Sequence, residues 1–208
     1  GLINEILDLS KIEAGKMELD IEPVEFEEIK VDLQSMFSEV ARNKNIDFKI
    51  AFNEAETGQK IKTDKQRLEQ ILRNLLSNAF KFTGKDGSVK LTAGKAVGHT
   101  GFKNKKLNEV KEVIAFAVTD TGIGIPADKQ AIVFEAFQQA DGSTKRKYGG
   151  TGLGLSISRE LANALGGEIH LSSVEGEGST FTLYMPAIYD VAVVVEAGKK
   201  VDVMLQTA

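Results

Sequence analysis

Residues 64–82 constrain the fold more than any other stretch of this chain. Leu68, Ile71, Leu72, Leu75, Ala79 and Phe82 recur at helical spacing. They predict a helix over 64–82 with one apolar side, and such a helix needs a core to lie on. Arg67, Gln70, Asn74, Asn78 and Lys81 form a second, polar stripe on the same helix, at about 100° per residue. Two asparagines four apart are poor interior helix formers. Their amide oxygens can ligate a hard cation such as Mg²⁺, and their amide nitrogens can donate to phosphate oxygens. Lys81, one turn on, adds positive charge to that face. Taken alone, the stripe reads first as the solvated side of a surface helix.

The flanking segments predict a layered fold. Residues 2–14 read as a helix in which Leu2, Ile6 and Leu9 form a narrow apolar stripe, stopped by Gly15. It reads as the end of a longer helix or as a short amphipathic surface helix. A second helix is expected over 25–43, with Ile29, Leu33, Phe37 and Val40 on one face. Strands are expected at 46–52, 88–97 and 112–120, with a solvated Gly-, Lys- and Asn-rich loop over 98–109. A short helix should follow Pro126, and another should run from near Gly152 to Leu165. EIHLSSV (168–174) and STFTLYMP (179–186) read as strands joined across EGEG. Early helices followed by irregular alternation suggest an α+β or α/β sandwich, with helices on one face of a mixed sheet.

Composition removes several function classes. There is no cysteine, which excludes disulfides, thiolate metal sites and thiol catalysis. The two histidines, His99 and His170, are far apart in sequence and argue against a histidine-based metal site. A net charge of −4 with mixed signs argues against nucleic acid as a partner. Apolar runs such as Val191–Val195 are far shorter than the roughly 18 residues of a membrane span, and no signal segment opens the chain. A soluble, cytoplasmic protein is expected.

Glycine is the compositional exception: 20 Gly against 3 Pro, and clustered. In DTGIGIP (120–126), Asp120 ends the apolar row Ile114, Phe116, Val118 on one strand face. A carboxylate there is costly unless something donates to it, and the exocyclic amine of adenine would. Gly122 and Gly124 remove side chains beside it and let a flat ring approach. A glycine turn with a local Asp cap is the alternative. GGTGLGLSIS (149–158) places Gly149, Gly150, Gly152 and Gly154 at a helix start, where unpaired N–H groups can hold phosphate. It is neither a Walker loop nor a dinucleotide fingerprint, and a flexible hinge is the alternative. The polar segment 138–148, with Lys145, Arg146 and Lys147, fits a lid over a triphosphate. Mg²⁺ ligands, an adenine acceptor, phosphate donors and a basic lid together describe an ATP site.

These stretches resemble a known family. In chain order, NLLSNAFKFT resembles the N box of bacterial sensor histidine kinases. DTGIGIP resembles their first glycine box, VFEAFQQAD their F box, and GGTGLGLSIS their second glycine box. GEGSTFTLYMP is similar to the strand closing their ATP-binding domain, and KIEAGK (11–16) to the end of the preceding helical hairpin. The resemblance covers residues 20–186 and implies the Bergerat-type fold shared with gyrase, Hsp90 and MutL ATPases. That fold is a mixed, mostly antiparallel sheet packed on one face by helices.

The resemblance also implies roles. Asn78 would ligate Mg²⁺, supported by Asn74. Lys81 and Phe82 would lie near the phosphates and adenine. Asp120 would accept from adenine, with Gly122, Gly124 and Ile125 shaping that pocket and Ser179 reaching the base through water. Arg146 would reach the outer phosphates from the lid, and Gly150, Thr151, Gly152, Leu153 and Gly154 would line them. Phe134 and Phe137 would anchor the lid. The implied partners are a His-bearing hairpin domain of the parent protein and a response regulator receiver domain, the parent being a homodimer.

The chain departs from that pattern in two places: the acceptor histidine, and the tail after Pro186, AIYDVAVVVEAGKKVDVMLQTA, which reads as two apolar β runs across AGKK. The family's acceptor histidine sits on the first hairpin helix, and neither His99 nor His170 fits it. The domain plan is therefore a hairpin-helix end over 1–16, the ATP-binding domain over 17–186, and an extra hairpin or linker over 187–208. Rival readings are a hydrolytic ATPase of the same fold and a non-catalytic nucleotide sensor. Hydrolytic relatives place a Glu one turn before the Mg²⁺ asparagine. Here that position is Asn74, and an amide cannot take a proton from water. Glu69 lies on the helix face away from Asn78 and cannot substitute.

Overall fold

Strand alternation explains the sheet. The computed structural model describes residues 2–14, 16–53, 58–96, 101–135 and 152–189. Five strands, β2 (Asp47–Phe52), β4 (Ser88–Lys95), β5 (Val113–Asp120), β6 (Glu168–Val174) and β7 (Gly178–Pro186), form one sheet in the order β2-β4-β5-β7-β6. The β2–β4 pair is parallel and the others are antiparallel. Register places Leu91, Val118 and Phe181 in one row and Ala93, Phe116 and Leu183 in the next. All six are buried, so one face of the sheet is a continuous apolar floor.

Helices α2 (Phe26–Lys44), α3 (Lys65–Phe82) and α5 (Gly154–Ala164) contribute to the same core. On α2 the inward residues are Phe26, Ile29, Leu33, Phe37 and Ala41. Val40, expected on that face, is exposed, because the last turn rotates Ala41 inward instead. Asn45 then stops α2 in a left-handed conformation, its N–H bonded to the Ala41 and Arg42 carbonyls. On α3 the expected apolar row is buried up to Ala79, and Phe80 joins it by stacking on Phe37 at 5.3 Å. Phe82, expected in the apolar row, is only half-buried.

Three features depart from the sequence reading. A second sheet pairs β1 (Glu22–Glu25) with β3 (Lys60–Thr63), each four residues long and too short to show a period. Ala187 and Tyr189 fasten onto it: Lys62 N donates to Ala187 O at 3.0 Å, and Tyr189 N to Lys62 O at 2.9 Å. Second, the expected loop contains helix α4 (Lys105–Glu109). Its Leu107 and the neighbouring Phe102 are buried with Val113 and Tyr184 in a separate small cluster. Two apolar residues among lysines and asparagines were enough to dock it. Third, the chain after Pro126 forms successive four-residue turns and one 3₁₀ turn (Ile132–Phe134) rather than an α-helix.

Helix α1 (Leu2–Glu13) lies against α5. Ile6, from its expected stripe, is exposed, and so are Ile3 and Leu7. The side chains of Leu2 and Leu9 are outside the described set, as are His99, Phe137, the segment 138–150 and the tail beyond Tyr189. No helix among the described residues is long and apolar enough to cross a membrane.

Asp64 ties the chain's early part to α3. Its carboxylate caps the helix by accepting from Arg67 N at 3.0 Å, and it also accepts from Asp20 N at 3.0 Å. Asp64→Ala should lower the unfolding free energy by about 1–2 kcal/mol, measured by denaturant titration. A loss below a few tenths would mean that the cap is idle.

Candidate functional site

The end of β5 carries a carboxylate where burial is nearly complete. Asp120 is 7% exposed. Gly122 N donates to its Oδ1 at 2.7 Å, and the backbone N–H of Ser179, its cross-strand neighbour on β7, also donates to it. Burial pushes the carboxyl above its ordinary value, against the opposite pull of these two donors. A carboxylate has about four acceptor positions, so Asp120 retains capacity for a ligand's N–H.

The surrounding glycines are required by close approach. A Cβ at Gly122 would stand 2.6 Å from the Phe82 carbonyl oxygen, so this glycine seats the end of α3 beside Asp120. Gly124 has φ +65°, and its Cβ would fall 2.0 Å from the Val174 carbonyl. The sequence reading missed a third partner, Gly178. It has φ +122°, and its Cβ would meet the Asp120 carbonyl at 2.0 Å. It was legible only as part of a turn. Two further supports were also missed. Ser173 Oγ accepts from Ile125 N at 2.8 Å and lies 2.9 Å from Ser179 Oγ. Gln130 Nε2 donates to the Ile125 and Ser173 carbonyls, both at 2.9 Å. The loop bearing Ile125 is thereby pinned to β6.

Helix α3 runs from this acceptor toward α5. At its C-terminal end the Lys81 ammonium lies 5.0 Å from the centre of the Phe82 ring, and burial lowers the Lys81 pKa. Asn78 is half-buried on the same stripe, with no side-chain hydrogen bond among the described residues. One turn earlier, Asn74 Nδ2 donates to Ser158 Oγ on α5 at 2.8 Å. A Cβ at Gly154 would lie 2.3 Å from Asn74 Oδ1, so the need for glycine there comes from helix–helix approach. The eight helical steps from Asn74 to Phe82 span roughly 12 Å, at about 1.5 Å per residue. That is the scale of an extended nucleotide.

At the start of α5, Gly152 has φ +74°, and no side chain caps the first turn. The backbone N–H groups there are suited to an anion. The Leu153 side chain is fully buried, which leaves its backbone as the part able to face a ligand. Arg146, Gly150 and Thr151 lie outside the described residues. Glu69 lies elsewhere: with Asp32 it flanks Lys65, at 3.7 Å and 3.0 Å respectively. No group of three or more His, Cys, Asp or Glu side chains among the described residues can hold a metal. A hard cation here would use an amide oxygen such as Asn78 together with phosphate and water oxygens, which suits Mg²⁺.

The fold agrees with comparisons to known proteins. The chain is 42% identical over 185 residues to the circadian input-output histidine kinase CikA of Synechococcus elongatus, covering 89% of this chain and 23% of that protein. It is 40% identical over 186 residues to the autoinducer 2 sensor kinase/phosphatase LuxQ of Vibrio harveyi, covering 89% and 20%. It thus spans about a fifth of the length of these curated relatives. The crystal structure of full-length ShkA in complex with AMPPNP superposes with a TM-score of 0.71 at 31% identity, covering 93% of this chain and 37% of that one. The catalytic domain of histidine kinase ThkA, nucleotide-free, superposes at 0.63 with 25% identity, covering 82% and 99%. Residues 63–188, from the end of β3 to the turn after β7, match the family model described as histidine kinase-, DNA gyrase B- and HSP90-like ATPase. With the sheet order, the buried Asp120 and the asparagine stripe in the same frame, the chain belongs to that ATPase family, in its histidine kinase branch.

Proposed function

We propose that this chain is the ATP-binding catalytic domain of a sensor histidine kinase, passing the γ-phosphate of ATP to a histidine on a hairpin domain of its parent protein. The body of this domain runs from residue 17 to Tyr189, three residues past the sequence-based limit, because Ala187–Tyr189 pair with β3. Residues 1–16 are the end of the second hairpin helix. Asp120 accepts from the adenine amine, and Gly122, Gly124, Ile125, Phe82 and Ser179 bound that pocket. Lys81, Arg146 and the N–H groups of Gly150, Thr151, Gly152, Leu153 and Gly154 face the phosphates. Asn78 is the protein's ligand for Mg²⁺, which when bound screens phosphate charge. The parent is a homodimer that hands the phosphate on to a response regulator receiver domain.

The observation that carries transfer over hydrolysis is Asn74. Its amide is held between Gly154 and Ser158, and it has no proton-accepting chemistry for an attacking water. Glu69, the one carboxylate on α3, lies on the helix face away from Asn78, with Lys65 at 3.7 Å. Phosphotransfer then breaks the bond between the γ-phosphorus and its bridging oxygen and forms a phosphorus–nitrogen bond to the acceptor imidazole, with ADP leaving.

The test is incubation with γ-labelled ATP, with and without an intact His-bearing hairpin domain added in trans. Acid-labile label on the added domain and none on this chain alone is expected, with very slow phosphate release. Label on this chain alone, or rapid ATP hydrolysis without an acceptor, would overturn the reading.

A further inference from the structure

We infer that Ser158 is a positioning residue for phosphotransfer, setting the Asn74 amide through a hydrogen bond between α5 and α3; the inference rests on the function proposed above. Ser158 is 1% exposed, and its Oγ accepts from Asn74 Nδ2 at 2.8 Å across 84 residues of sequence. Gly154 lies one turn earlier on the same face of α5 and touches Asn74 Oδ1. Both ends of the amide are therefore held by α5. The terminal torsion of an asparagine is broad and two-fold, so without this grip the amide would swing. With one Nδ2 proton engaged by Ser158, the second has a defined direction on the polar stripe of α3. Ser156, also buried on α5, does not compete for this role, because its hydroxyl donates to the Leu153 carbonyl at 2.8 Å.

This contact also links two parts of the site. The first turn of α5 follows the glycine segment, and Asn74 precedes Asn78 by one turn. A shift of the start of α5 is therefore passed to the asparagine stripe through one hydrogen bond and one van der Waals contact. GLSIS reads in sequence only as a helix, and Ser158 acquires this role through tertiary packing.

The test uses the full chain as parent, S158A, S158T, N74A and the double variant N74A/S158A. Two readouts are needed: the side-chain amide resonances of Asn74 by ¹⁵N NMR, and kcat and KM for transfer from ATP to an added hairpin domain. S158A should move the Asn74 amide resonances and lower kcat about fivefold, the equivalent of about 1 kcal/mol for one neutral hydrogen bond. KM for ATP should change less than about twofold, because the loss falls on the transition state rather than on binding. S158T, which keeps the hydroxyl, should recover activity, and S158A should cost nothing further in the N74A background. Unmoved Asn74 resonances, an unchanged kcat, or an equal loss in the N74A background would each overturn the role of Ser158. A parent that transfers no phosphate would overturn the kinase reading and this role with it. An active parent with a silent S158A would overturn this role alone.

Discussion

Asp120→Ala should weaken ADP and ATP binding about 10- to 100-fold, the scale of a lost hydrogen bond to a charged group. Asp120 is 7% exposed and is held in place by the Gly122 and Ser179 backbone amides. It cannot turn away from a ligand, and a ligand's amine meets an acceptor already oriented. The same change should erase discrimination between adenine and guanine nucleotides. A carboxylate accepts from the amine of adenine but repels the carbonyl oxygen that guanine carries at that position. Calorimetry with ADP and GDP reads both effects, and thermal unfolding of the variant checks that the fold survives. Undiminished ADP affinity in a folded variant would remove Asp120 from the site.

The same residue sets a pH dependence. Burial raises the folded-state pKa of Asp120 above its ordinary value of 3.8. The acceptor is strongest when ionised, so ADP affinity should fall as pH drops through the raised value. That fall begins at a higher pH than an ordinary carboxylate would give, and Asp120→Ala should lack it. The stability sign is opposite to that of a salt-bridged aspartate. Because the folded pKa is raised, the buried charge costs stability above that value. The cost fades as pH falls toward 3.8 and the group becomes protonated in both states.

Asn78→Ala should lower Mg²⁺-dependent transfer about 10- to 100-fold while leaving metal-free ADP binding nearly intact. Losing even an outer-shell partner of a metal costs 10–100-fold in affinity or activity, and a direct ligand should cost at least as much. Asn78 is half-buried, on the stripe between Asn74 and Lys81. Truncating it removes an oxygen donor without opening the core, where Leu75, Leu76 and Ala79 lie. In the proposed site adenine recognition falls to Asp120, at the other end of the stripe, which is why the two functions should separate. Titrating ADP with and without Mg²⁺ measures this directly. An identical Mg²⁺ dependence in variant and parent would show that Asn78 is not a ligand.

Local periodicity determined much of this protein. The apolar row of α3, the alternation in β4, β5 and β7, and the row ending at Asp120 are each written within one element. A period of 3.6 or 2 therefore reveals them without knowledge of the fold. The glycine-bearing turns after β5 and before α5 were legible from their clustered glycines, and with them most of the candidate site. What sequence could not decide is whatever depends on two distant elements meeting. The pairs β1–β3 and Lys62–Ile188 are too short to show a period and exist because backbone partners are present. Helix α4 forms where Phe102 and Leu107 find Val113 and Tyr184. Gly154 is required by Asn74 rather than by its own backbone, Gly178 by Asp120, and Ser158 gains its partner across 84 residues. In each of these cases the determining atom belongs to another part of the chain. Tertiary structure alone supplies it, because a residue's pattern records which face it buries but not what it is buried against.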